Sequence, residues 1–332
     1  MKLYDFENHI YDLATIDAMA ARKEYPIFDK VTKEWKWGDN VVMDFSYLYG
    51  KLTDIDAGRL ADMDRVGITT ALISSSPGFE DLDPSDSIAL CEKCNNSIYG
   101  MTQNHPDRFL GTAVLPVYDT NAAIKELERC VNELGFVCWH THSNYGKTSV
   151  HDERFIPIWE AATDLGVFIY LHPTVPAFNA IAGIADFGYT LSGPGMGFTI
   201  DTMLTTLKII CNGVFDKVPK ARMVLGHFGE ALPFLLDRID NRLAFLPNPL
   251  IKSEKNPSDY FRDNIWVTTS GNMSPEAYRC TRDVLGAEKI IYGSDFPYES
   301  IDDMTNFIKN LDQTDEEREM LFFKNAETLL GK

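Results

Sequence analysis

Eight short apolar segments that alternate with longer helix-like segments constrain the fold of this chain more than any other feature. Their aliphatic and β-branched residues are typical of parallel strands that are buried on both faces of a sheet. The eight predicted strands begin at Lys2, Ile68, Phe109, Phe136, Val167, Arg222, Asn264 and Lys289. Because helices separate these strands, the pattern predicts an α/β protein with the (β/α)8 architecture of a TIM barrel.

Residues 11–51 interrupt this alternation directly after the first strand. They show no clean periodicity and are rich in aromatic side chains, and a loop of this length inside a compact domain usually has a function. We find no linker elsewhere, so we predict a single distorted barrel domain over residues 1–332 with a long loop insertion at 11–51. The insertion either covers a flat apolar substrate as a lid near the active-site face or forms a surface cluster of its own.

The net charge of −18 argues against nucleic acid and anionic membrane surfaces as partners, because both repel an acidic protein. A small anionic substrate is still compatible with it, since a metal ion or a local arginine can reverse the field inside a pocket. No apolar run approaches the ~18 residues of a membrane helix, and the acidic start is unlike a signal peptide. The six cysteines, with a C-x-x-C at Cys91 and Cys94 that we interpret as structural, favour a reduced, cytoplasmic protein.

Five side chains that can bind a metal ion or carry a proton follow predicted strands. Glu7 and His9 end strand one, where period-two alternation sends both to one side. His172, His227 and Asp295 follow strands five, six and eight. In a (β/α)8 barrel all these ends lie on one face, where catalytic groups gather. We therefore expect the five side chains to face one another around one metal ion.

The donor atoms of this set are carboxylate oxygens and imidazole nitrogens, which together suit zinc, manganese or iron. The alternative is a group of buried histidines that are each satisfied by hydrogen bonds. That arrangement would have to arise independently at every one of these strand ends, so we favour the metal site.

Several short motifs that extend over nearly the whole chain contain these residues. They are Glu7-Asn8-His9, Leu171-His172-Pro173, Asn212-Gly213-Val214-Phe215-Asp216, Gly226-His227-Phe228-Gly229-Glu230-Ala231-Leu232-Pro233, Arg238-Ile239-Asp240, Thr269-Ser270-Gly271-Asn272 and Gly293-Ser294-Asp295-Phe296-Pro297. In them the chain resembles the amidohydrolase superfamily, in the branch of aminocarboxymuconate semialdehyde decarboxylase and the γ-resorcylate and dihydroxybenzoate decarboxylases. The resemblance implies one divalent metal ion, zinc or manganese, held by Glu7, His9, His172 and Asp295. It places His227 beside the ion.

The fourth strand departs from the pattern of the binuclear hydrolases of this superfamily, which carry a carboxylated lysine there. The segment from Phe136 to His142 contains no lysine, and strand one has Glu-x-His in place of His-x-His. Both differences favour one metal ion over two. His140 and His142 share a face of this strand, where they either pack or hydrogen bond to the substrate, or form a second metal site.

The resemblance implies a metal-dependent, non-oxidative decarboxylase that acts on an aromatic, hydroxylated carboxylic acid. Such a reaction needs a proton at the ring carbon, for which Asp295 and His227 are the candidate donors. Glu230, three residues after His227, could fix the imidazole tautomer, or it could be an acid favoured at a helix N-terminus. A metal-dependent hydrolase of a lactone, ester or amide is the alternative function. A barrel that binds a metabolite without turnover is a third interpretation.

Arg238 lies eleven residues after His227 on the predicted helix, about 12–15 Å from the strand end, too far to return to its own metal site. The resemblance implies that an arginine here crosses a dimer interface and offers its fork of donors to the carboxylate of a substrate in the neighbouring subunit. We therefore expect a homodimer or homotetramer that binds a small aromatic carboxylate. The alternative is a surface arginine engaged by Phe234 or Asp237.

Overall fold

The computed structural model of the chain describes residues 1–38, 41–75, 82, 84–146, 148–176, 186, 188–246 and 248–332. The segment Ser76-Pro77-Gly78, whose residues predict a loop after the second barrel strand, lies outside these residues. The described strands are β1 (Tyr4–Ile10), β2 (Ile27–Asp29), β3 (Glu34–Gly38), β4 (Val41–Asp44), β5 (Thr70–Ser75), β6 (Phe109–Ala113), β7 (Cys138–His142), β8 (Phe168–His172), β9 (Met223–Leu225), β10 (Ile265–Thr268) and β11 (Ile290–Ile291).

Eight of these strands form one sheet in the order β1-β5-β6-β7-β8-β9-β10-β11, and every neighbouring pair in it is parallel. The segment after β11 returns to β1, where the Phe6 amide donates to the Tyr292 carbonyl at 2.9 Å and the His9 amide donates to the Phe296 carbonyl at 2.7 Å. These bonds curl the sheet into a nearly closed barrel. The predicted (β/α)8 fold is confirmed.

Helices separate the barrel strands and pack around them. Their bounds are Leu13–Ala21, Tyr49–Thr53, Ala57–Val66, Pro84–Asn104, Thr120–Asn132, Ile156–Asp164, Gly188–Thr190, Gly197–Cys211, Val214–Lys217, Leu232–Phe245, Pro257–Asn264, Pro275–Leu285, Ile301–Lys309, Asp315–Glu319 and Asn325–Leu329. Short 3-10 turns cover Glu153–Phe155 and Ala287–Lys289, and π turns cover Leu191–Gly195 and Met320–Lys324. Among the described residues, no helix is long and apolar enough to span a membrane.

The core has two parts because successive residues of a strand point to opposite faces of the sheet. Leu72 and Val224 point into the barrel, where they join an interior cluster. Their neighbours Ile73 and Leu225 point outward into the larger cluster between strands and helices. This alternation explains why the strands read as continuous apolar runs, since both faces are covered.

The insertion at 11–51 is more regular than the loop expected from its sequence. It contains the helix Leu13–Ala21 and a separate three-stranded antiparallel sheet of β2, β3 and β4. Its strands span only three to five residues, too few to display a period that can be recognised in the sequence. Aromatic packing holds them, with the rings of Phe28 and Trp35 5.3 Å apart between their centroids.

Cys91 and Cys94 are both buried in the helix Pro84–Asn104, and none of the six cysteines, all of which lie among the described residues, forms a disulfide bond. The structural interpretation of the C-x-x-C pair is compatible with this position, because the two thiols face the core.

Candidate metal centre

Four side chains at the strand ends converge at the mouth of the barrel. Glu7 and His9 come from β1, His172 ends β8, and Asp295 follows β11. One potential ligand atom from each of them lies within 4.8 Å of the others. The His9 Nε2 atom is 3.2 Å from Asp295 Oδ1, and the His172 Nε2 atom is 3.6 Å from Glu7 Oε1. The structure thus brings together the four residues that the sequence suggested as ligands, in a cluster suited to one ion.

A register shift in β1 gives Glu7 and His9 their direction. Regular alternation would send Phe6 and Glu7 to opposite faces, but Phe6 lies in the interior cluster while Glu7 joins the metal-competent group. The pairing of β1 with β5 shifts between Asp5 and Asn8, as at a β-bulge. Bulges often re-aim side chains beside active sites, and this one lets apolar side chains and two candidate metal ligands share the barrel interior.

Hydrogen bonds orient both imidazole rings. The Nδ1 atom of His172 donates to the carbonyl oxygen of Pro173 at 2.7 Å, and the Nδ1 atom of His9 lies 3.0 Å from the Ser74 hydroxyl. The Nε2 atom of each ring is therefore the one directed into the cluster, as expected for a metal ligand.

The Glu7 carboxylate is held in the same way. Its Oε2 atom accepts hydrogen bonds from the hydroxyls of Tyr170 and Thr268, the second at 2.9 Å. Its Oε1 atom is buried and has no hydrogen-bond partner among the described residues, and the same is true of His9 Nε2. An unsatisfied buried polar atom costs about 1–3 kcal/mol. A divalent cation would satisfy both atoms, so the residues present fit the metal ion that the sequence suggested.

Without a cation these groups form a cluster of ion pairs. Although burial alone lowers it, the contacts with Asp295 and Glu7 raise the pKa of His9 to about 9. Burial raises the pKa of Glu7, but the contact with His9 and the attraction of the His227 and His172 imidazoles outweigh that effect and lower the pKa of Glu7 to about 2. The carboxylates are therefore charged at neutral pH and able to bind a cation.

His227 lies beside the cluster on a turn of unusual conformation. The residues His227–Glu230 form a left-handed turn with φ values of 54°, 54°, 77° and 55°, and Ala231 follows at 58°. Left-handed geometry costs non-glycine residues roughly 1–2 kcal/mol each, and such strain is concentrated at functional sites. The turn lets Glu230 reach back to its neighbour, with Glu230 Oε1 2.6 Å from His227 Nδ1. The opposite nitrogen, His227 Nε2, lies 3.9 Å from Asp295 Oδ2.

Gly271 makes room for the His227 ring. A Cβ atom at this position would lie 2.6 Å from His227 Cδ2, and the glycine itself has a φ of +61°. Both the space and the backbone conformation therefore require glycine here.

The electrostatics of this pair favour a proton on His227. Burial alone lowers its pKa, but Glu230 and Asp295 raise the pKa of His227 well above its ordinary value. Burial alone raises the pKa of Asp295, but the contacts with the His227 and His9 imidazoles lower it. The His227 side chain keeps 20% of its surface exposed, so a protonated imidazole beside a carboxylate faces the open cavity.

A cavity of about 650 Å³ opens above the cluster and is lined mostly by apolar and aromatic side chains. The insertion contributes Tyr11, Trp37, Met43, Phe45 and Tyr47 to its wall. The Trp37 ring stacks on the ring of Tyr189, a cavity-lining residue outside the insertion, with the two centroids 5.9 Å apart and the ring planes 4° from parallel. Among the described residues that line this cavity there is no lysine or arginine.

Arg238 is exposed on the helix Leu232–Phe245 and does not line the cavity of its own chain. No hydrogen bond or ion pair joins its side chain to the described residues. The neighbours that the sequence suggested, Phe234 and Asp237, therefore do not hold it by a polar contact.

The sequence did not reveal the buried polar residues that hold β1 in place by hydrogen bonds. Asp5 is buried and accepts hydrogen bonds from the Ser294 hydroxyl at 2.6 Å and from Asn8 Nδ2 at 2.9 Å. The buried Arg59 donates to the Asn8 side chain and, at 2.9 Å, to the His9 carbonyl. The hydrogen bond between Asp5 and Ser294 ties β1 to the loop after β11, which carries Asp295. Of these supporting residues, only Asn8 could have been suspected from the sequence, because it lies between the candidate ligands Glu7 and His9.

His140 lies one layer below His172 in the barrel, where it pairs with Tyr170 in the register of β7 and β8. It is buried, and burial together with the neighbouring histidines holds its pKa well below the ordinary value. His142 continues the same face toward the barrel mouth, and its ring centroid lies 6.0 Å from that of His172.

Comparison with known proteins agrees with this architecture. A γ-resorcylate decarboxylase from a Polaromonas species is 32% identical over 295 residues, which cover 86% of this chain and 90% of that protein. The structure of a dihydroxybenzoic acid decarboxylase from Polaromonas, with bound manganese and the inhibitor 2-nitroresorcinol, superposes with a TM-score of 0.86 at 29% identity, covering 99% of this chain and 97% of the other. A 5-carboxyvanillate decarboxylase from Sphingomonas paucimobilis gives a TM-score of 0.87 at 27% identity and covers 99% of each chain.

Residues 52–332 match the amidohydrolase family. This match covers most of the chain, and the similarity to the Polaromonas protein extends across nearly its full length. The chain therefore belongs to the amidohydrolase family, in the branch that contains the γ-resorcylate decarboxylases.

Proposed function

We propose that this protein is a metal-dependent, non-oxidative decarboxylase of a hydroxylated aromatic carboxylic acid. The observation that carries the proposal is a cluster of four metal-competent side chains in which Glu7 Oε1 and His9 Nε2 have no hydrogen-bond partner among the described residues, and whose members His172 and Asp295 line a cavity with many aromatic side chains. The relatives are named for decarboxylation, so we retain this reaction over hydrolysis of a lactone, ester or amide and over binding without turnover.

Glu7, His9, His172 and Asp295 would hold one divalent ion, manganese or zinc. When bound, the ion supplies the positive charge that attracts the substrate carboxylate and an adjacent hydroxyl oxygen. A related structure contains manganese, which suits a site with two carboxylate ligands.

His227 and Asp295 would deliver the proton. The ring carbon that bears the carboxylate accepts a proton from this pair, and the bond to the carboxylate then breaks. Its electron pair returns to the ring, carbon dioxide leaves, and the proton stays in the product as a C–H bond. Glu230 holds the opposite imidazole nitrogen at 2.6 Å, which positions His227 Nε2 toward the cavity.

The insertion at 11–51 would act as a cover within a single barrel domain that spans residues 1–332. Its aromatic side chains line the same cavity as His172, His227 and Asp295, and Trp37 stacks on Tyr189 to form part of an aromatic surface. The planar ring of an aromatic substrate would pack against that surface, which explains why the insertion places aromatic side chains in the cavity wall.

Arg238 would complete the site of a neighbouring subunit in a homodimer or homotetramer. A carboxylate substrate needs cationic donors, and among the described lining residues the cavity of one chain offers no lysine or arginine. Phe234 and Arg238 are one helical turn apart, hence on one face. Around them Phe234, Phe245 and Leu246 are 79%, 71% and 63% exposed, an apolar surface that a second subunit could cover.

We also propose a cytoplasmic location, because six cysteines that form no disulfide bond among the described residues suit a reducing compartment. The strong negative charge supports a small molecule, and not nucleic acid or a membrane surface, as the partner.

The test is a metal analysis of the purified protein followed by a screen of hydroxybenzoic acids for carbon dioxide release. We expect one equivalent of divalent metal and release of carbon dioxide with the ring retained. When the reaction is run in D2O, the product should contain one deuterium at the ring carbon that lost the carboxylate. Full activity in a metal-free preparation would contradict the proposal, and so would metal binding with no turnover of any hydroxybenzoic acid.

A further inference from the structure

Thr268 and Ser270 form a continuous hydrogen-bonded path between a candidate metal ligand and the His227 turn. The Thr268 hydroxyl donates to Glu7 Oε2 at 2.9 Å, and the hydroxyl oxygens of Thr268 and Ser270 also lie 2.9 Å apart. The Ser270 hydroxyl accepts from the backbone amide of His227 at 3.1 Å. Both side chains are fully buried, and the low local dielectric strengthens each of these bonds.

The donor and acceptor roles along this path follow from its two ends. The His227 amide can only donate, a charged Glu7 carboxylate can only accept, and a hydroxyl has one hydrogen. Thr268 directs its hydrogen to Glu7, so Ser270 donates its own to Thr268. The Tyr170 hydroxyl, 3.2 Å from Thr268 Oγ1, likewise donates to Glu7 Oε2. Every bond in the path therefore points from His227 toward Glu7, and bonds in such a chain polarise one another.

The path holds the first residue of a strained turn. Residues His227–Ala231 all have positive φ, and backbone of this kind persists only where surrounding contacts hold it. Ser270 fixes the amide of His227, and the Thr281 hydroxyl donates to the Phe228 carbonyl at 3.3 Å. The placement of the His227 ring therefore depends in part on a hydroxyl that is linked, through one further hydroxyl, to a candidate metal ligand.

Glu7 divides its two carboxylate oxygens between the cation and this path. Its Oε1 atom has no hydrogen-bond partner among the described residues, whereas its Oε2 atom accepts from Tyr170 and Thr268. One oxygen is thus available to a metal ion while the other remains in the hydrogen-bonded path. Metal binding and anchoring of the turn use the same carboxylate without competing for one atom.

We propose that Thr268 and Ser270 are positioning residues that couple occupation of the metal position to the conformation of the His227 turn. With a cation on Oε1, the Glu7 carboxylate is fixed and its Oε2 atom keeps Thr268 in place. Thr268 in turn keeps Ser270 beside the His227 amide. The inference rests on the proposed function, because it concerns the same ion and the same proton donor. It makes correct placement of the general acid depend on the metal, although His227 is not one of the suggested ligands.

Hydrogen–deuterium exchange on the full chain tests this coupling without reference to turnover. In the unaltered protein, saturating Mn²⁺ should slow exchange in the peptide that contains His227 by roughly 10-fold, the effect of about one hydrogen bond. Thr268→Val removes the middle hydroxyl and should abolish this response when the variant is fully loaded with Mn²⁺. Thr268→Ser keeps the hydroxyl and should retain the response. A normal response in metal-loaded Thr268→Val would overturn the proposal.

Ser270 allows a test in the reverse direction, because coupling between two sites has the same magnitude in both directions. Ser270→Ala should weaken Mn²⁺ binding by roughly 10-fold in a chelator competition. Among the described residues, the Ser270 hydroxyl bonds to Thr268 and His227 and to none of the suggested ligands. An unchanged Mn²⁺ affinity in folded Ser270→Ala would reject the coupling, and this variant decides the question if Thr268→Val does not fold.

Thr112→Val is the matched control for loss of a buried hydroxyl. Thr112 is fully buried on β6, and its hydroxyl donates to the Ile73 carbonyl at 3.0 Å, away from the path. This variant should lower the melting temperature, as Ser270→Ala does. It should leave the Mn²⁺ affinity and the exchange response of the His227 peptide unchanged. The same losses in Thr112→Val would show that general destabilisation, and not the path, causes them.

Turnover supplies a further readout. At saturating Mn²⁺, Ser270→Ala should lower kcat by roughly 10-fold and leave KM within about threefold. The double variant Thr268→Val/Ser270→Ala should lose no more than the larger single loss, because residues in one series act as a unit. Additive losses would count against the path. Absence of turnover in the unaltered protein would reject the proposed function, whereas the exchange and affinity measurements would still decide the coupling.

Discussion

The floor and the roof of the cavity are built in opposite ways. The floor is the cluster of side chains at barrel strand ends, whose members Glu7 and His9 are at most 2% exposed and are held by hydrogen bonds to other barrel strands. The roof comes largely from the insertion, where Trp37 stacks on Tyr189 and Tyr47 remains 71% exposed. Directional polar contacts define the floor, whereas stacked apolar surfaces define the roof.

This difference separates chemistry from selection. A metal centre needs donor atoms in fixed positions, and closed barrel strands provide them. Recognition of a ring needs contact area whose shape can change between relatives, and an inserted segment can vary without disturbing the barrel. Changes in the floor should therefore affect metal binding or turnover, and changes in the roof should affect substrate affinity.

The largest effect is expected from His172, one of the four proposed metal ligands in the floor. His172→Ala removes one of the imidazoles available to the ion, so metal content and all measurable turnover should be lost together. Atomic absorption and a carbon dioxide assay check this outcome. His151→Ala is the control, because that histidine lines a separate, remote cavity. Turnover in a His172→Ala protein that lacks metal would refute the division between floor and roof.

His227→Asn should preserve the metal ion and reduce kcat by on the order of 100-fold or more, because the general acid is lost while the suggested ligands remain. The measurement compares metal content with single-turnover kinetics. Loss of metal in parallel would identify His227 as a ligand. Unchanged turnover would assign it a structural role instead.

Arg238→Ala tests whether the wall of the cavity includes a second subunit. Loss of a charged hydrogen bond of about 1.5–3 kcal/mol should raise KM roughly 10- to 100-fold while metal content is unchanged. Arg242→Ala is a matched control on the same helix, where Arg242 lies over the Phe245 ring at 5.4 Å.

Mixed subunits give a sharper form of this test. Dimers of one Arg238→Ala chain and one His227→Asn chain should regain one complete site, since each chain supplies what the other lacks. If verified mixed dimers show no recovery, Arg238 is an ordinary surface residue.

The smallest effect is expected in the roof. Trp37→Ala removes an aromatic contact worth about 0.5–1.5 kcal/mol, so KM should rise roughly 2- to 10-fold with little change in metal content. Trp35, two residues earlier on β3, is fully buried in the core. Trp35→Phe should therefore lower the melting temperature and leave KM unchanged. A loss of metal in Trp37→Ala would show that roof and floor are not separable.

Much of the barrel and its metal-competent residues could be predicted from sequence because both depend on local patterns. Eight buried strands were recognised by their apolar runs, with ends that differ from the structure by a few residues. Since parallel strands in a barrel end on one face, Glu7, His172 and Asp295 could be placed together without coordinates. The structure brings their potential ligand atoms within 4.8 Å of one another.

Residues 11–51 were less predictable because their structure depends on long-range packing. Strands of three to five residues show no clear period, and the order of β2, β3 and β4 is set by aromatic contacts that local sequence does not encode. The left-handed turn at His227–Glu230 was also unforeseen, since only one of its four residues is glycine.

The sequence by itself determined the fold class, the face on which the polar strand ends meet and the donor types available there. Only the tertiary structure decided which atoms of those residues remain unpaired. The bulge in β1 sets the direction of Glu7, the Asp5–Asn8–Arg59 contacts position the strand, and His140 lies beside His9 and His172 with no hydrogen-bond partner among the described residues. The physical reason is that strand periodicity specifies a face of the sheet, whereas hydrogen bonding depends on distances between residues far apart in the chain.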